Sequence, residues 1–218
     1  MSKKNSSVLT NSSSYQEDKY FSKVYSHFKT HIKDIKAQKF LIAVSGGPDS
    51  LALTALAKEY SREFKKKFFF ATVNHNIRKQ SANEAKTLKK LLNNYKLNLH
   101  ILNNKKKITK NIQANARKIR YNLLKSFCSK KKIRLIITAH HREDQIETFL
   151  IRLSRGSGVQ GLSSMSQSVK LDKNLYLFRP LLDCKKDDLI KISKNIFKKY
   201  IQDPSNNNKK YLRTNMRI

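Results

Sequence analysis

Apolar residues recur along this sequence in two patterns that alternate from residue 20 to residue 154. Helical spacing over 20–35 is followed by a continuous apolar run at 40–44, which is typical of a buried strand. We predict helices over 20–35, 51–64, 81–95, 111–129, 143–154 and 187–200. Strands are predicted over 40–44, 68–74, 97–102, 133–139 and 176–178. This order predicts an α/β fold with a mostly parallel, twisted sheet and helices on both faces.

A polar turn follows the first predicted strand, at the sheet edge where such folds bind ligands. Residues 45–50 read Ser-Gly-Gly-Pro-Asp-Ser; the glycines let the backbone approach a ligand, and a helix start attracts anions. The turn lacks the lysine of a Walker loop and carries Asp49 instead. That carboxylate would repel a nucleotide by itself, but it suits a Mg²⁺ ion bridging to phosphate oxygens. The alternative is an ordinary turn in which Asp49 caps the helix.

Two more carboxylates follow the strand predicted at 133–139. Asp144 and Glu147 are three residues apart and share one face near the start of a predicted helix. They are candidates to hold Mg²⁺ together with Asp49, provided that the sheet order brings the two loops together. The alternative is that these acids only complement the helix dipole.

Histidines lie close to both candidate loops. His140 and His141 have no cysteine or third histidine nearby to complete a zinc site, so we expect them to bind phosphate or to orient a loop. Asn74 and His75 end another predicted strand. They are either contacts for adenine or substrate, or part of a polar loop.

The charge of the chain predicts a polyanionic partner. There are 47 lysines and arginines against 15 acidic residues, a formal net charge of +32, and each phosphate neutralised releases counterions. A lysine-biased proteome would produce the same excess. Arg117 and Arg120 share one helix face, where they either bind phosphates or only keep the surface hydrated.

Cysteine usage and hydropathy indicate the compartment. Cys128 and Cys184 are far apart in the sequence and form no paired motif, which suits a reducing compartment. No apolar run reaches membrane-spanning length and the N-terminus lacks a secretory signal, so we expect a cytoplasmic protein without a membrane partner. Residues 1–19 are polar and serine-rich, which predicts a disordered lead-in.

Seven short segments occur in the order found in one family of enzymes. They are residues 45–50, 74–78, 111–117, 139–148, 155–162, 179–182 and 203–206. The first segment resembles the signature of the PP-loop ATP pyrophosphatases, which split ATP into AMP and pyrophosphate to adenylylate a substrate. Together the segments resemble the tRNA(Ile)-lysidine synthetases, and the resemblance covers nearly everything from residue 40 to the end.

The resemblance implies an adenine nucleotide α-hydrolase-like fold and one catalytic domain over residues 20–218. It further implies that ATP activates the wobble cytidine of a tRNA(Ile) with a CAU anticodon. The amine of free L-lysine then displaces AMP and leaves lysidine. ATP and Mg²⁺ are the implied cofactors, and a homodimer is one option for the assembly.

The resemblance also implies roles for individual residues. ATP and pyrophosphate are assigned to Ser45, Gly46, Gly47, Pro48, Asp49, Ser50, Asn74 and His75. Mg²⁺ is assigned to Asp49, Asp144 and Glu147, and catalysis to the same three residues with Arg117. Contacts with RNA are assigned to Arg120, Arg155, Arg179 and Arg213.

Three alternatives stay open. Longer family members carry C-terminal domains that bind tRNA and this sequence has none, so we expect either a minimal enzyme or a fragment. A cytidine-thiolating relative generally needs paired cysteines, which are absent from this sequence. A non-catalytic RNA-binding protein on the same fold would not need Asp49, Asp144 and Glu147 together.

Overall fold

The computed structural model describes residues 18–78, 80–106, 108–158, 161 and 163–200. The α-helices in these ranges are α1 (Lys19–Ile32), α2 (Pro48–Phe64), α3 (Ser81–Asn94), α4 (Ile112–Lys131), α5 (Arg142–Ser154) and α6 (Lys186–Phe197). The strands are β1 (Lys39–Ala43), β2 (Lys67–Asn74), β3 (Leu99–Asn103), β4 (Leu135–Ile137), β5 (Ser168–Asp172) and β6 (Leu175–Phe178). Residues 1–17 of the predicted lead-in and the segment at 203–206 lie outside the described residues. The last two residues of that lead-in are ordered, since Asp18 caps α1 and Lys19 is its first residue.

The six strands form one sheet in the order β3-β2-β1-β4-β6-β5. Neighbouring strands run parallel except for β5, which is antiparallel to β6. Parallel neighbours need a crossover over one face of the sheet, which is why helices separate them in the sequence. The predicted α/β fold, with a mostly parallel sheet and helices on both faces, is confirmed.

Each face of the sheet has its own apolar core, because alternate residues of a strand point to opposite faces. Phe40 and Ile42 of β1 belong to the core that α1, α2, α3 and α6 cover. Leu41 belongs to the other core, with Leu124 and Cys128 of α4. All three β1 side chains are fully buried, as expected for the central strand of a parallel sheet covered on both sides.

The connections change direction across the sheet at β1. Strands β2 and β3 lie on one side of it, and β4 and β6 on the other. Leu41 and Ile42 of β1 are level with Ile136 and Ile137 of β4, so the loops after both strands leave the same edge side by side. Open parallel sheets bind their ligands in the crevice at this type of position.

The sequence patterns do not predict the edge strand β5. Only Val169 and Leu171 are apolar in it, and most of its side chains are exposed, so it lacks the apolar run of a buried strand. Helix α2 begins at Pro48, earlier than predicted. Asp49 and Ser50 therefore lie in the first helical turn and not in the loop before it.

Two helices end earlier than their apolar spacing predicts. Helix α1 ends at Ile32, but Ile35 still packs against the same core, so the periodicity continues beyond the helix. Helix α6 ends at Phe197 because Lys198 adopts a left-handed backbone conformation with φ of 61°. Tyr200 likewise continues to pack on the core after the helix has ended.

No helix in the described part of the chain combines the length and the apolar character that a membrane span requires.

Candidate active site

The turn after β1 has a backbone that glycine adopts more easily than other residues. Gly46 is buried and has φ of 91°, a conformation that L side chains rarely adopt. Gly47 is the N-cap residue of α2 and no side chain caps this helix start, while Pro48 occupies the first helical position. The N–H groups of the first turn are therefore left for an anionic ligand at the carboxyl edge of the sheet.

The hydroxyl of Ser50 stabilises this turn through hydrogen bonds to its backbone. Its Oγ accepts hydrogen bonds from the backbone N–H groups of Ser45 at 3.2 Å and Gly46 at 3.1 Å. It donates to the carbonyl of Gly47 at 2.9 Å. Because Ser50 is only 5% exposed, its hydroxyl shapes the loop and does not face a ligand directly.

Asp49 projects from the first turn of α2 towards the loop after β4. One of its carboxylate oxygens, Oδ1, is buried and has no hydrogen-bond partner among the described residues. The other, Oδ2, lies 3.5 Å from Nε2 of His141. An unpartnered buried carboxylate oxygen is costly in a folded protein unless a ligand or cation satisfies it.

His141 is the N-cap residue of α5 and lies at the centre of three carboxylates. Its Nε2 is 3.5 Å from Asp49 and 3.6 Å from Asp144, and its Nδ1 is 3.1 Å from Oε2 of Glu143. Asp144 also accepts a hydrogen bond from the backbone N–H of His141 at 3.1 Å. The sheet order therefore brings Asp49 and Asp144 to one imidazole, although they are far apart in the sequence.

The surroundings of His141 favour its charged form. Burial alone would lower the pKa of this imidazole, but the hydrogen bond to Asp49 and the negative charges of Asp144, Asp49 and Glu143 outweigh it and raise the pKa. Burial also acts against ionisation of Glu143. Backbone hydrogen bonds at Glu143 itself and from Lys186, with the charge of His141, nevertheless lower the pKa of that carboxyl.

Glu147 adds a fourth acidic residue one helical turn after Glu143, and it is buried. Four of the chain's 15 acidic residues thus gather at one edge of a strongly basic protein. Among the described residues, Asp49 and Asp144 form no ion pair with lysine or arginine. Carboxylate oxygens are the ligands that Mg²⁺ prefers, and the buried Oδ1 of Asp49 provides a free one, so the residues present fit this cation.

Asn74 and His75 lie at the end of β2, beside the turn of 45–50. The side chain of Asn74 is used within the protein: it donates to Asn103 at 3.1 Å and accepts from the N–H of Asn76 at 3.0 Å. His75 is half-buried and its Nδ1 has no partner among the described residues. Burial and the nearby charge of Arg120 lower the pKa of His75, which keeps the ring neutral near pH 7. His75 is thus the better placed of the two to contact a nucleotide.

The two arginines of α4 share one aromatic neighbour, but their charges act on different groups. Both guanidinium groups lie over the ring of Tyr121, at 5.1 Å for Arg117 and 5.6 Å for Arg120. The charge of Arg120 acts on His75, whereas that of Arg117 acts on Arg179. Arg120 therefore lies near the end of β2, and Arg117 lies near the end of β6.

The remaining predicted RNA contacts lie in three different settings. Arg179 is only 6% exposed and donates from Nη1 to the carbonyl of Ser166 at 2.6 Å, a position suited to anchoring the chain before β5. Arg155 is exposed and follows the last residue of α5, about 16 Å along the helix axis from Asp144. Arg213 lies outside the described residues.

A comparison with protein families identifies the group to which this chain belongs. A profile of the PP-loop domain family matches residues 21–218. The chain belongs to the PP-loop family. Membership implies that this PP-loop protein uses ATP, in agreement with a helix start left open to an anion beside a group of carboxylates.

Curated relatives of this PP-loop protein have one name in common. It is 44% identical over 182 residues to the tRNA(Ile)-lysidine synthase of Orientia tsutsugamushi (strain Boryong), covering 82% of this chain and 40% of that protein. It is 40% identical over 176 residues to the tRNA(Ile)-lysidine synthase of Wolbachia pipientis wMel, covering 79% of this chain and 41% of that protein. The chain therefore spans well under half the length of these relatives.

Solved structures show the same fold at low sequence identity. The U34-tRNA thiolase NcsA from Methanococcus maripaludis with its 4Fe-4S cluster has a TM-score of 0.75 and 19% identity, covering 90% of this chain and 70% of that one. Candida glabrata FMN adenylyltransferase in complex with FMN and the ATP analogue AMPCPP has a TM-score of 0.51 and 16% identity. The match covers 84% of this chain and 62% of that one. Both similarities concern the fold alone.

Two residues of the PP-loop protein's site have roles that the sequence did not predict. His141 was expected only to bind phosphate or orient a loop, whereas it links the carboxylates of two loops. Glu143 was not singled out, yet it accepts from the backbone N–H of Lys186 at 3.0 Å and so ties α6 to the site. A histidine followed by acids two and three residues later was the available signal, but a solvated helix start has the same pattern.

Replacing Ser50 with alanine should loosen the turn. The change leaves the N–H groups of Ser45 and Gly46 without their shared acceptor, so we expect a loss of about 1–3 kcal/mol in the free energy of unfolding. We also expect weaker ATP binding, measured by calorimetry beside urea denaturation. Ser61→Ala, at the other end of α2, removes a hydroxyl that donates to the carbonyl of Lys66 at 2.7 Å. This control should lose stability without losing ATP affinity; equal affinity losses would contradict the role of Ser50.

Proposed function

We propose that this PP-loop protein ligates L-lysine to the wobble cytidine of a tRNA(Ile) with a CAU anticodon, through an adenylylated tRNA. The observation that carries this proposal is that Asp49 and Asp144 meet around His141. Adenylyl transfer needs a triphosphate held in position by a cation, and these carboxylates could bind that cation at the carboxyl edge of the sheet. The names of the relatives at 44% and 40% identity support the choice of tRNA and lysine. Such a protein would act in the cytoplasm, and a homodimer stays a prediction.

In the first step, ATP would bind across the start of α2. The first-turn N–H groups would bind phosphate oxygens, and Ser50 would keep the turn in the shape that exposes them. Asp49 and Asp144 would hold Mg²⁺, which when bound would offset the negative charge of the triphosphate. Glu147, the third predicted ligand, would act in the second step instead. The attacking group belongs to the cytidine and the leaving group is pyrophosphate, so positioning and charge replace a protein nucleophile.

In the second step, the ε-amine of lysine would attack the activated cytidine and AMP would leave. This amine is mostly protonated in water at neutral pH and attacks only after losing a proton. A carboxylate near the cytidine is the natural acceptor for that proton. Glu147 is buried and lies one turn along α5 from the group around His141, so we assign it this role.

Sulfur transfer, the activity of the structural neighbour NcsA, has little support in this chain. The sequence contains two cysteines, and both are buried. Cys128 belongs to the core on one face of the sheet and Cys184 to the core on the other. Burial raises the pKa of each thiol to about 12, so neither is a thiolate near neutral pH.

Binding to tRNA should weaken steeply with salt. A net charge of +32 implies many phosphate contacts, and six contacts would give a log–log slope of about −5 on duplex regions. Arg155→Gln should make this slope shallower by about one. Lys33→Gln, on the connection from α1 to β1 away from the carboxyl edge, should leave it unchanged. Fluorescence titrations at several salt concentrations measure this, and a flat response would mean that the charge reflects composition alone.

The decisive experiment is mass spectrometry of tRNA(Ile) with a CAU anticodon after incubation with the protein, ATP, Mg²⁺ and lysine. We expect a lysine-sized mass gain on the wobble cytidine, and no gain with a tRNA whose anticodon lacks that cytidine. A sulfur-sized gain, or adenylylated tRNA that does not respond to lysine, would contradict the proposed function.

A further inference from the structure

A second group of metal-ligating side chains lies outside the carboxylate site. It consists of His27 and His31 on α1 and Asp183 in the segment after β6. One ligand atom from each residue lies within 4.8 Å of the others. The histidines are four residues apart on one helix face, and their rings meet edge to face at 4.4 Å. Helical geometry alone therefore presents two imidazoles to one point, and the fold adds the carboxylate.

The ring of His27 is oriented as in a metal site. Its Nε2 is buried and has no hydrogen-bond partner among the described residues. The same ring hydrogen-bonds the backbone carbonyl of Pro180. Histidines that bind metals usually donate their other ring N–H to a carbonyl or carboxylate in this way, since the bond fixes both tautomer and direction.

His31 has a comparable support. Its Nδ1 lies 2.8 Å from the side-chain amide of Gln167. The two ends of a glutamine amide have the same shape, so Gln167 can present its oxygen to the Nδ1–H of His31. This bond would leave Nε2 of the His31 ring to bind a metal. Both rings are half-buried and Asp183 is exposed, so an ion has a path from solvent.

The electrostatics favour a neutral ring at His27. Burial lowers its pKa, and the neighbouring His31 acts in the same direction; the charge of Asp183 and the bond to Pro180 offset only part of this. A neutral imidazole has a lone pair, which is the form that binds metals.

We propose that His27, His31 and Asp183 bind one Zn²⁺ ion, with water as the fourth ligand. Two imidazoles and a carboxylate suit Zn²⁺, whereas Mg²⁺ prefers oxygen ligands alone. Tetrahedral bonds of about 2.0–2.2 Å separate ligand atoms by about 3.3 Å. The three ligand atoms already lie within 4.8 Å of one another, so small side-chain rotations would bring them to this spacing.

Such an ion would link α1 to the segment that supports the catalytic edge. Directly after Asp183, the carbonyl of Cys184 accepts from the N–H of Arg142 at 3.0 Å. Lys186 then donates from its N–H to Glu143, also at 3.0 Å. Zinc would therefore fix the backbone on which the start of α5 rests. This site does not depend on the proposed ligase activity.

Zinc binding to the 218-residue chain tests this proposal. After chelator treatment, equilibrium dialysis in excess Mg²⁺ with metal analysis should yield one Zn²⁺ per chain. Co²⁺ used as a probe should show the absorption bands of tetrahedral coordination. His27→Gln, His31→Gln and Asp183→Asn should each weaken binding by more than tenfold. The matched controls His100→Gln on β3 and Asp187→Asn on α6 should bind as the wild type does.

Three results would overturn the proposal. They are absence of bound zinc, binding that survives all three ligand substitutions, and binding that Asp49→Asn removes, which would move the ion to the carboxylate site. Thermal melts of the metal-free variants check their folding. Asp183 is exposed, so Asp183→Asn keeps the test decisive even if a histidine variant does not fold. Zinc should also raise the Tm of the wild type and leave that of Asp183→Asn unchanged.

Discussion

Replacing Asp49 with asparagine should lower the formation of AMP and pyrophosphate by about a thousandfold or more, while the fold stays intact. Asparagine has the same shape but no negative charge. It would remove the ligand charge at Oδ1, the buried atom that has no partner among the described residues. Its amide oxygen can still accept from His141, so the turn should keep its conformation. ATP–pyrophosphate exchange and AMP release with tRNA present measure the effect.

The control for this change is Asp34→Asn. Asp34 is exposed and precedes β1, so it lies towards the opposite edge of the sheet. We expect wild-type activity for this variant and unchanged thermal unfolding for both. Turnover at the wild-type rate in Asp49→Asn would remove Asp49 from the site and, with it, the main argument for metal-dependent adenylylation.

Replacing Glu147 with glutamine should slow lysine transfer by about 10²–10⁴-fold, the usual contribution of a general base. Adenylylation should fall much less, so adenylylated tRNA should accumulate. The reason is that glutamine fills the same buried space but cannot accept a proton from the lysine amine. Rapid-quench experiments that form the adenylylated tRNA first and add lysine afterwards separate the two steps.

Glu63→Gln is the matched control for Glu147→Gln. Glu63 is exposed at the far end of α2 and pairs with Lys29, so its loss should change neither step. If Glu147→Gln slowed both steps equally, the carboxylate would serve the cation jointly with Asp49 and Asp144, and the role of proton acceptor would belong to another group.

His141 explains how three carboxylates share one small region of the protein. Like charges at this separation raise each other's free energy, and a cationic imidazole between them offsets that repulsion. The imidazole is almost fully buried, so little solvent screens these interactions. We therefore regard His141 as the residue that positions Asp49 and Asp144 relative to one another.

The sequence by itself determined the class of the fold and the candidate loops. Apolar periodicity depends on each segment alone, and it identified β1, β2, β4 and the helices between them, because each buries a continuous run or stripe. The turn of 45–50 was recognisable since glycine, proline and aspartate have local conformational preferences that do not depend on the rest of the chain. The resemblance to the PP-loop proteins rested on such a local segment, and the family profile confirmed it.

Only the tertiary structure decided which of these segments meet. Asp49 and Asp144 approach one imidazole because β1 and β4 are neighbours in register, a pairing that no local pattern encodes. The same holds for Asp183, which the path of the chain after β6 brings to His27 and His31. It also holds for β5, whose mostly exposed residues form a strand only because β6 offers a free edge. Side-chain preferences act over a few residues, whereas a site is assembled by long-range packing of the whole sheet.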